Sequence, residues 1–212
     1  MQAYRVKIEV KNSQPLIWRR VLVDGGGNFQ DLHEVIQNVL SFGDSHLYMF
    51  FLPNHKLKVT NDEGAHEVYL EYLENREQIE ATLTALDTPF AKRQLENLRI
   101  EVQKPGAMRL APYFQPGTTA EYLYDFGDSW DISLTAEGIL EDYALEYPIL
   151  LAGEQAAPLE NLGGLRGYQK FFEAYHNPEH PDHVGARQWG DQQGFVDYDS
   201  EAIQKRLRAW GE

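Results

Sequence analysis

Apolar and charged residues alternate at the start of the chain, as they do in a half-buried β-strand. One face of this segment carries four apolar residues, which are Tyr4, Val6, Ile8 and Val10. Alternate side chains of a strand point to opposite faces of a sheet, so the pattern predicts a strand over residues 4–10. A turn sequence around Pro15 and an apolar stretch over residues 16–23 follow. Together the two segments predict a β-hairpin.

A helical repeat follows the three glycines at residues 25–27. Its apolar residues recur every three or four positions and are Leu32, Val35, Ile36, Val39 and Leu40. Asn28 is a suitable N-cap for this helix. Residues 46–52 predict a third strand, and residues 56–60 or 67–72 predict further strands. The resulting β-β-α-β order predicts an α+β fold with a β-grasp-like roll.

The spacing of the apolar residues changes between residues 75 and 103. Apolar residues here recur at three- or four-residue steps on both sides of Asp87-Thr88-Pro89. Proline fits the first turn of a helix, so the segment predicts a helical hairpin that is broken before Pro89. We expect residues 1–212 to form a single domain, with residues 75–103 as an insertion within it.

The second half of the chain predicts another β-hairpin and then helices. Residues 121–126 and 131–136 alternate in polarity around the turn Gly127-Asp128-Ser129. We expect one face of the first strand to carry Tyr122, Tyr124 and Phe126. Two C-terminal helices are predicted from apolar stripes, namely Tyr168, Phe171, Phe172 and Tyr175, and then Ile203, Leu207 and Trp210.

Composition narrows the classes of function. The 212 residues include 33 Asp+Glu against 19 Lys+Arg, a net charge of −14, which repels phosphate backbones and disfavours DNA as a partner. Cysteine is absent, which excludes disulfides, thiolate nucleophiles and zinc sites that need sulfur. The alternating N-terminus does not fit a secretory signal, and no later apolar run approaches a membrane span. We expect a cytoplasmic protein with no membrane partner.

Several short motifs resemble one protein family. In chain order they are Pro15-Leu16-Ile17-Trp18-Arg19-Arg20, Leu32-His33-Glu34-Val35-Ile36-Gln37, Asp44-Ser45-His46-Leu47, Tyr124-Asp125-Phe126-Gly127-Asp128-Ser129-Trp130, Tyr147-Pro148 with Gly153-Glu154, Gly163-Gly164 with Gly167-Tyr168, and Asn177-Pro178-Glu179-His180-Pro181-Asp182-His183. Their order is similar to that of the plasmid pRiA4b ORF-3-like family. The resemblance implies an α+β roll that recurs in chromosomes, plasmids and transposon passengers, and it implies no particular biochemical activity.

The chain departs from the family pattern in two places. The helical hairpin at residues 75–103 stands where the family has a shorter and often acidic connection. Leu165-Arg166 follows Gly163-Gly164, where the family usually has Pro-Trp.

Two turns carry residue types that bind divalent metal ions. Asp125-Phe126-Gly127-Asp128-Ser129 places carboxylates three residues apart, and Phe42-Gly43-Asp44-Ser45-His46 repeats its Gly-Asp-Ser centre. If the turns converge, they supply oxygen and imidazole ligands for a divalent ion and a carboxylate as general base. The predicted metal ligands are Asp44, His46, Asp125 and Asp128. The alternative is that each Gly-Asp-Ser is a tight turn whose side chains bond to backbone amides.

Six motif residues are candidates for binding a ligand or a partner, namely Trp18, Arg19, Arg20, Trp130, Glu154 and Tyr168. A guanidinium group pairs bidentately with carboxylate or phosphate. The alternative is that the arginines pair with surplus carboxylates of the chain and that the aromatic residues belong to the core. His176, His180 and His183 form a dense group of potential metal ligands, but their spacing favours a solvated junction between two helices.

These observations favour a non-catalytic α+β module whose acidic surface engages a protein partner or a basic ligand. No serine lies in a Gly-x-Ser-x-Gly elbow and cysteine is absent, which disfavours nucleophilic catalysis. The alternative is a metal-dependent hydrolase or phosphoesterase that uses the four predicted metal ligands with a divalent ion as cofactor. DNA binding and DNA mimicry are weaker third alternatives.

Overall fold

The computed structural model describes residues 2–144 and 146–210. The strands are β1 (Ala3–Val10), β2 (Trp18–Asp24), β3 (Tyr48–Leu52), β4 (Leu57–Thr60), β5 (Glu101–Gln103), β6 (Thr119–Tyr124), β7 (Trp130–Leu140) and β8 (Ile149–Glu154). The helices are α1 (Phe29–Leu40), α2 (Glu63–Glu74), α3 (Arg76–Leu86), α4 (Pro89–Leu98), α5 (Gly164–His176), α6 (His183–Gln192) and α7 (Ser200–Ala209). The α+β class is confirmed.

The strands form one sheet in the order β5-β4-β3-β6-β7-β1-β2-β8. Neighbours are antiparallel, except that β5 lies parallel to β4. Both predicted hairpins, β1-β2 and β6-β7, are present. β3 pairs with β4 and β6 and is separated from β1 by β6 and β7, so the strand order does not support the β-grasp-like description.

One amphipathic helix, α1, covers the middle of the sheet. Asn28 caps it as expected, because the Asn28 side chain accepts hydrogen bonds from the amides of Gln30 and Asp31. Eight of its twelve residues are buried, and the six apolar ones join inward side chains of β1, β3, β6 and β7 in one apolar core. Burial of this apolar stripe, more than helix propensity, stabilises α1.

Three successive helices, α2 to α4, project between β4 and β5, and we call residues 63–98 the helical unit. The strand expected over residues 67–72 is instead part of α2, because Asp62 caps a helix by accepting from the amides of Gly64 and Ala65. The hairpin helices α3 and α4 are present. The helical segment predicted up to residue 103 is shorter in the structure, since α4 ends at Leu98 and residues 101–103 pair with β4.

Three smaller features also differ from expectation. Phe126 lies beyond the end of β6 and is 41% exposed, so it does not share the buried face of Tyr122 and Tyr124. Trp210 follows the last turn of α7 rather than lying within it. Strand β8 pairs with β2 and was not predicted.

Among residues 2–144 and 146–210, no helix has both the length and the apolar character that crossing a membrane requires.

Candidate functional site

The two Gly-Asp-Ser turns meet at one end of the sheet. β3 and β6 are antiparallel neighbours with Tyr48 opposite Tyr124, so the segment before β3 lies beside the segment after β6. The amide of Asp125 donates to the Leu47 carbonyl at 3.0 Å, and the amide of Ser45 donates to the Tyr124 hydroxyl at 3.1 Å. The two turns that carry the candidate ligands therefore lie side by side.

A closed ring of hydrogen bonds links the first turn to α1 and β6, and we call it the polar ring. Its members are His33, Gln37, Asp44 and Tyr122. His33 Nε2 lies 2.7 Å from Asp44 Oδ1, and His33 Nδ1 lies 2.8 Å from the Tyr122 hydroxyl. Gln37 Nε2 donates to the same hydroxyl at 3.0 Å, and the Asp44 amide donates to Gln37 Oε1 at 3.0 Å.

The chemistry of these groups assigns the protons of the ring. A carboxylate only accepts hydrogen bonds, so His33 Nε2 carries the proton that is donated to Asp44. Nδ1 then accepts a hydrogen bond from the Tyr122 hydroxyl. Both ring nitrogens are hydrogen-bonded in this arrangement, and the imidazole is neutral. Burial lowers the pKa of His33 against the opposing effect of Asp44, and burial raises the pKa of Tyr122. The ring therefore holds a neutral histidine and a neutral phenol in the core.

The second turn is organised by its own first carboxylate. Asp125 Oδ1 accepts from the amides of Gly127 and Asp128, which is the Asx-turn chemistry offered as the alternative to metal binding. Its other oxygen lies 3.6 Å from His46 Nε2, beyond hydrogen-bond distance. Within the described residues, three buried side-chain atoms lack a hydrogen-bond partner: His46 Nε2, Asp128 Oδ2 and Trp130 Nε1.

The four predicted metal ligands therefore separate into groups. Asp44 pairs with His33, while His46 lies beside Asp125. Among residues 2–144 and 146–210, no three His, Asp or Glu side chains are grouped closely enough to hold a metal ion. A divalent ion at these residues stays a prediction.

The six predicted binding residues lie on opposite faces of the sheet. Trp18 and Arg20 point outward, where Arg20 forms a bidentate pair with Glu137 at 2.6 and 2.8 Å. Glu154 is opposite Trp18 in the β2-β8 register and is exposed. Arg19, Trp130 and Tyr168 are buried in the core. The structure thus places Trp18, Arg20 and Glu154 at the surface, with the Arg20 guanidinium already paired with Glu137.

Arg19 is a buried cation bonded to backbone carbonyls. Its guanidinium donates to the carbonyls of Trp18, Val39, Glu154 and Gln155 at 2.7–3.0 Å. Burial lowers the pKa of Arg19 to about 10, which keeps it charged at neutral pH. These contacts join β2 to the end of α1 and to β8. Arg19 therefore connects elements of the fold and is not available for bidentate pairing with a ligand.

The three clustered histidines each contact a different group at the α5–α6 junction. His176 Nε2 lies 3.0 Å from Asp197 Oδ1, and His183 Nδ1 lies 2.9 Å from the Ala174 carbonyl. His180 Nδ1 accepts from the Asp182 amide. α5 ends at His176 and α6 begins at His183, as expected for a junction between two helices.

Comparison with known proteins identifies the family of the chain. A family model described as "Plasmid pRiA4b ORF-3-like protein" matches residues 2–206. The chain belongs to this family. It is 30% identical over 198 residues to the uncharacterized protein y4hQ of Sinorhizobium fredii, covering 93% of this chain and 84% of that protein. It is also similar to the crystal structure of MM3350, a protein of unknown function from Methanosarcina mazei, with a TM-score of 0.67 and 27% identity over 94% of this chain and 96% of that one.

The second of the paired glycines in the pRiA4b ORF-3-like motif packs against the second turn. Gly164 begins α5 with φ +67°, and a Cβ placed there would lie 2.2 Å from the Asp128 carbonyl oxygen. Only glycine allows the helix to approach this closely. Glu160, just before these glycines, accepts a 2.5 Å hydrogen bond from the Tyr124 hydroxyl. The start of α5 and the residues just before it are therefore a third segment of the site, beside the two turns.

Sequence reasoning missed the inner half of this pRiA4b ORF-3-like site. In the sequence, His33 and Gln37 were recognised only as part of the family motif at residues 32–37, although they lie one helical turn apart beside the apolar stripe. Two polar residues at i and i+4 on a buried face require partners, which is a usable signal. Tyr122 and Glu160 carried no local signal, because their partners are distant in sequence.

Proposed function

We propose that the protein is a non-catalytic interaction module whose helical unit binds an acidic amphipathic helix of a partner protein. The observation that carries this proposal is the exposure of the unit. α3 has no buried residue, and the most exposed large apolar side chains of the unit include Phe90 at 69% and Leu86 at 58%. An exposed apolar patch of this kind is typical of a protein-binding surface.

A groove lies between the unit and the neighbouring edge of the sheet. It lies between α2, α4 and the β4-β5 edge, with a volume of about 760 Å³. Its apolar lining includes Val68, Tyr69, Phe90, Leu98 and Ile100, and we call it the helical groove. Amphipathic helices bind grooves of this type through apolar side chains spaced three and four residues apart.

The charges of the helical groove select the partner. Its only charged lining residues are Lys58 and Arg93, and neither forms an ion pair among residues 2–144 and 146–210. Unpaired cations are notable in a chain with 33 acidic and 19 basic residues. Burial lowers the pKa of Lys58. Carboxylates flanking the partner's apolar stripe would pair with both cations.

Site-specific photo-crosslinking tests this proposal. A benzoylphenylalanine placed at Phe90 should form a discrete adduct in native lysate, and the crosslinked peptide should be an amphipathic helix with flanking carboxylates. The matched control places the same group at Val184 on α6, which is 78% exposed. The charge-reversed variant Lys58→Glu/Arg93→Glu should lose the adduct. Equal adducts from Val184, no adduct at Phe90, or an adduct with a second copy of this chain would refute the proposal.

A metal-dependent hydrolase or phosphoesterase is the second candidate. Its support is that His46 Nε2 and Asp128 Oδ2 are buried without a hydrogen-bond partner among the described residues, and that His46 Nε2 lies 3.6 Å from Asp125 Oδ2. Elemental analysis of chelator-free protein tests it, with Asp44→Asn/Asp128→Asn as the comparison. Near-stoichiometric metal that is lost in the variant would support this candidate and justify a phosphoester screen.

A further inference from the structure

A second cavity lies on the opposite side of α1 from the polar ring. It is bounded by α1, the end of β2, Tyr143, residues 146–148 and Trp210, and its volume is about 380 Å³. Small-molecule sites in proteins have volumes of about 300–1,000 Å³, so this cavity is large enough for a small ligand. The apolar residues Leu32 and Val35 of α1 are part of its lining.

The remaining lining combines aromatic rings with carboxylates. The aromatic residues are Tyr143, Tyr147 and Trp210, and the carboxylates are Asp24, Asp31 and Glu146. No Lys, Arg or His is among the described residues that line it. Aromatic faces and carboxylates both attract organic cations, and their combination is the usual binding site for alkylammonium groups.

Hydrogen bonds fix the polar atoms of this lining. The Tyr143 hydroxyl donates to the Tyr147 carbonyl at 2.5 Å, and Trp210 Nε1 donates to Glu34 Oε2 at 2.6 Å. Asp31 accepts from the Asn28 amide at 2.7 Å. The side chains of Tyr143 and Trp210 are therefore held in place before any ligand binds, which lowers the entropy cost of binding.

The surroundings of Tyr143 and Tyr147 disfavour a phenolate and place one cation beside an aromatic ring. Burial raises the pKa of Tyr143 to about 12, and the nearby Asp24 carboxylate contributes in the same direction. The guanidinium of Arg208 lies 5.8 Å from the centre of the Tyr147 ring, so this ring already faces one cation.

We propose that this cavity binds a small organic cation, with the apolar body of the ligand against α1 and its ammonium group among the aromatic rings and carboxylates. We call the site the cation cavity. A neutral or anionic molecule of the same shape would lose the attraction of three carboxylates and three rings. The site is independent of the helical groove, which lies on a different part of the fold.

Calorimetric titration at pH 7 with three matched probes tests the proposal. Phenethylamine carries the cation, 2-phenylethanol is its neutral analogue, and 3-phenylpropionate is its anionic analogue. Phenethylamine should bind at least about tenfold more tightly than the alcohol, and the carboxylate should not bind. Equal affinity for the amine and the alcohol would show an apolar cavity without charge selectivity and would overturn the proposal. Absence of heat with phenethylamine at millimolar concentration would overturn it as well.

Single substitutions locate the binding site. Glu146→Gln and Tyr147→Leu should each weaken phenethylamine binding about three- to tenfold. Glu146 is exposed, and the Tyr147 hydrogen bond uses its backbone carbonyl, so both variants should keep the parent melting temperature. Glu179→Gln, at the exposed α5–α6 junction, is the matched control and should bind like the parent. Unchanged affinity in both cavity variants would place any binding elsewhere and refute the assignment.

Discussion

Helix α1 and the helical unit are attached to the same sheet in different ways. α1 buries eight of its twelve residues. In the helical unit, α2 buries two of twelve, α3 buries none of eleven and α4 buries one of ten. An isolated helix of this length is marginal in water, so a helix needs tertiary contacts to persist. The contacts of α1 are mostly apolar, whereas the helical unit depends more on polar and charged contacts.

A surface carboxylate supplies many of those contacts. Glu80 on α3 accepts from Tyr72 on α2, from Arg76, and from Arg99 just after α4, at 2.7–3.2 Å. Lys104, just after β5, also pairs with Glu63 at 2.8 Å and joins the start of the unit to the segment that follows β5. Charged surface contacts of this kind stabilise little and weaken with salt. The comparison teaches that α1 stabilises the fold, whereas the unit presents apolar surface.

The largest effect should come from matched leucine truncations. Leu40→Ala in α1 removes a side chain that is 0% exposed and should lower the free energy of unfolding by about 3 kcal/mol. Leu70→Ala in α2 removes one that is 57% exposed and should change it by about 0.5 kcal/mol or less. Urea denaturation of both variants measures the difference. Similar losses in the two variants would break the comparison.

The polar ring should make stability depend on pH through His33. Burial lowers the pKa of His33 below its ordinary value, so between the two values the unfolded chain binds a proton that the folded chain does not. Stability is therefore fully present above about pH 6.5 and falls as the pH decreases, by at most about 1.4 kcal/mol per pH unit. Urea midpoints between pH 7 and pH 5 measure this slope. His33→Gln should reduce it, and an unchanged slope would show that other groups cause it.

The Glu80 contacts should affect the helical unit but not the core. Glu80→Gln should speed amide hydrogen exchange in residues 63–98 and leave exchange in α1 unchanged. The hydrogen bonds from Arg99, Tyr72 and Arg76 lower the pKa of Glu80 to about 2. The contribution of this carboxylate is thus present above its ordinary pKa of 4.5 and is lost as the pH falls toward 2. Faster exchange spread over the whole sheet would contradict a local role.

The smallest effect on stability should come from the exposed groove. Phe90→Ser removes a side chain that is 69% exposed and should shift the free energy of unfolding by no more than about 0.5 kcal/mol. It should nevertheless abolish capture of the partner at the helical groove. A large loss of stability would mean that Phe90 supports the fold instead of presenting a binding surface.

Local patterns in the sequence predicted most of the elements but not their arrangement. Alternation identified β1 and both hairpins, and the three- to four-residue repeat identified α1, α3 and α4. β-Propensity misled at residues 67–72, where the N-cap Asp62 and the contact of His66 with the Thr60 carbonyl favour a helix. The placement of β3 beside β6 depends on pairing between distant segments, which no local pattern contains.

In the candidate site, too, the features set by local sequence were predictable and those set by contacts between distant segments were not. The sequence predicted that the turns at Asp44 and Asp125 would carry polar chemistry, and they do meet. It did not predict the hydrogen bond between His33 and Asp44, because that contact depends on the packing of α1 on the sheet. Arg19 looked like an exposed binding residue, but alternation along β2 turns it inward while Trp18 and Arg20 face outward.

The parallel pairing of β4 with β5 has an evolutionary consequence. The chain leaves the sheet after Thr60 and returns at Glu101, which lies opposite Leu57, so departure and return are separated by one short strand. β5 is the outermost strand and contacts only β4 within the sheet. Connections of different length can therefore join these points without changing the pairing of the other strands. This margin of the fold is where relatives can gain, lose or exchange segments while the rest of the architecture is inherited intact.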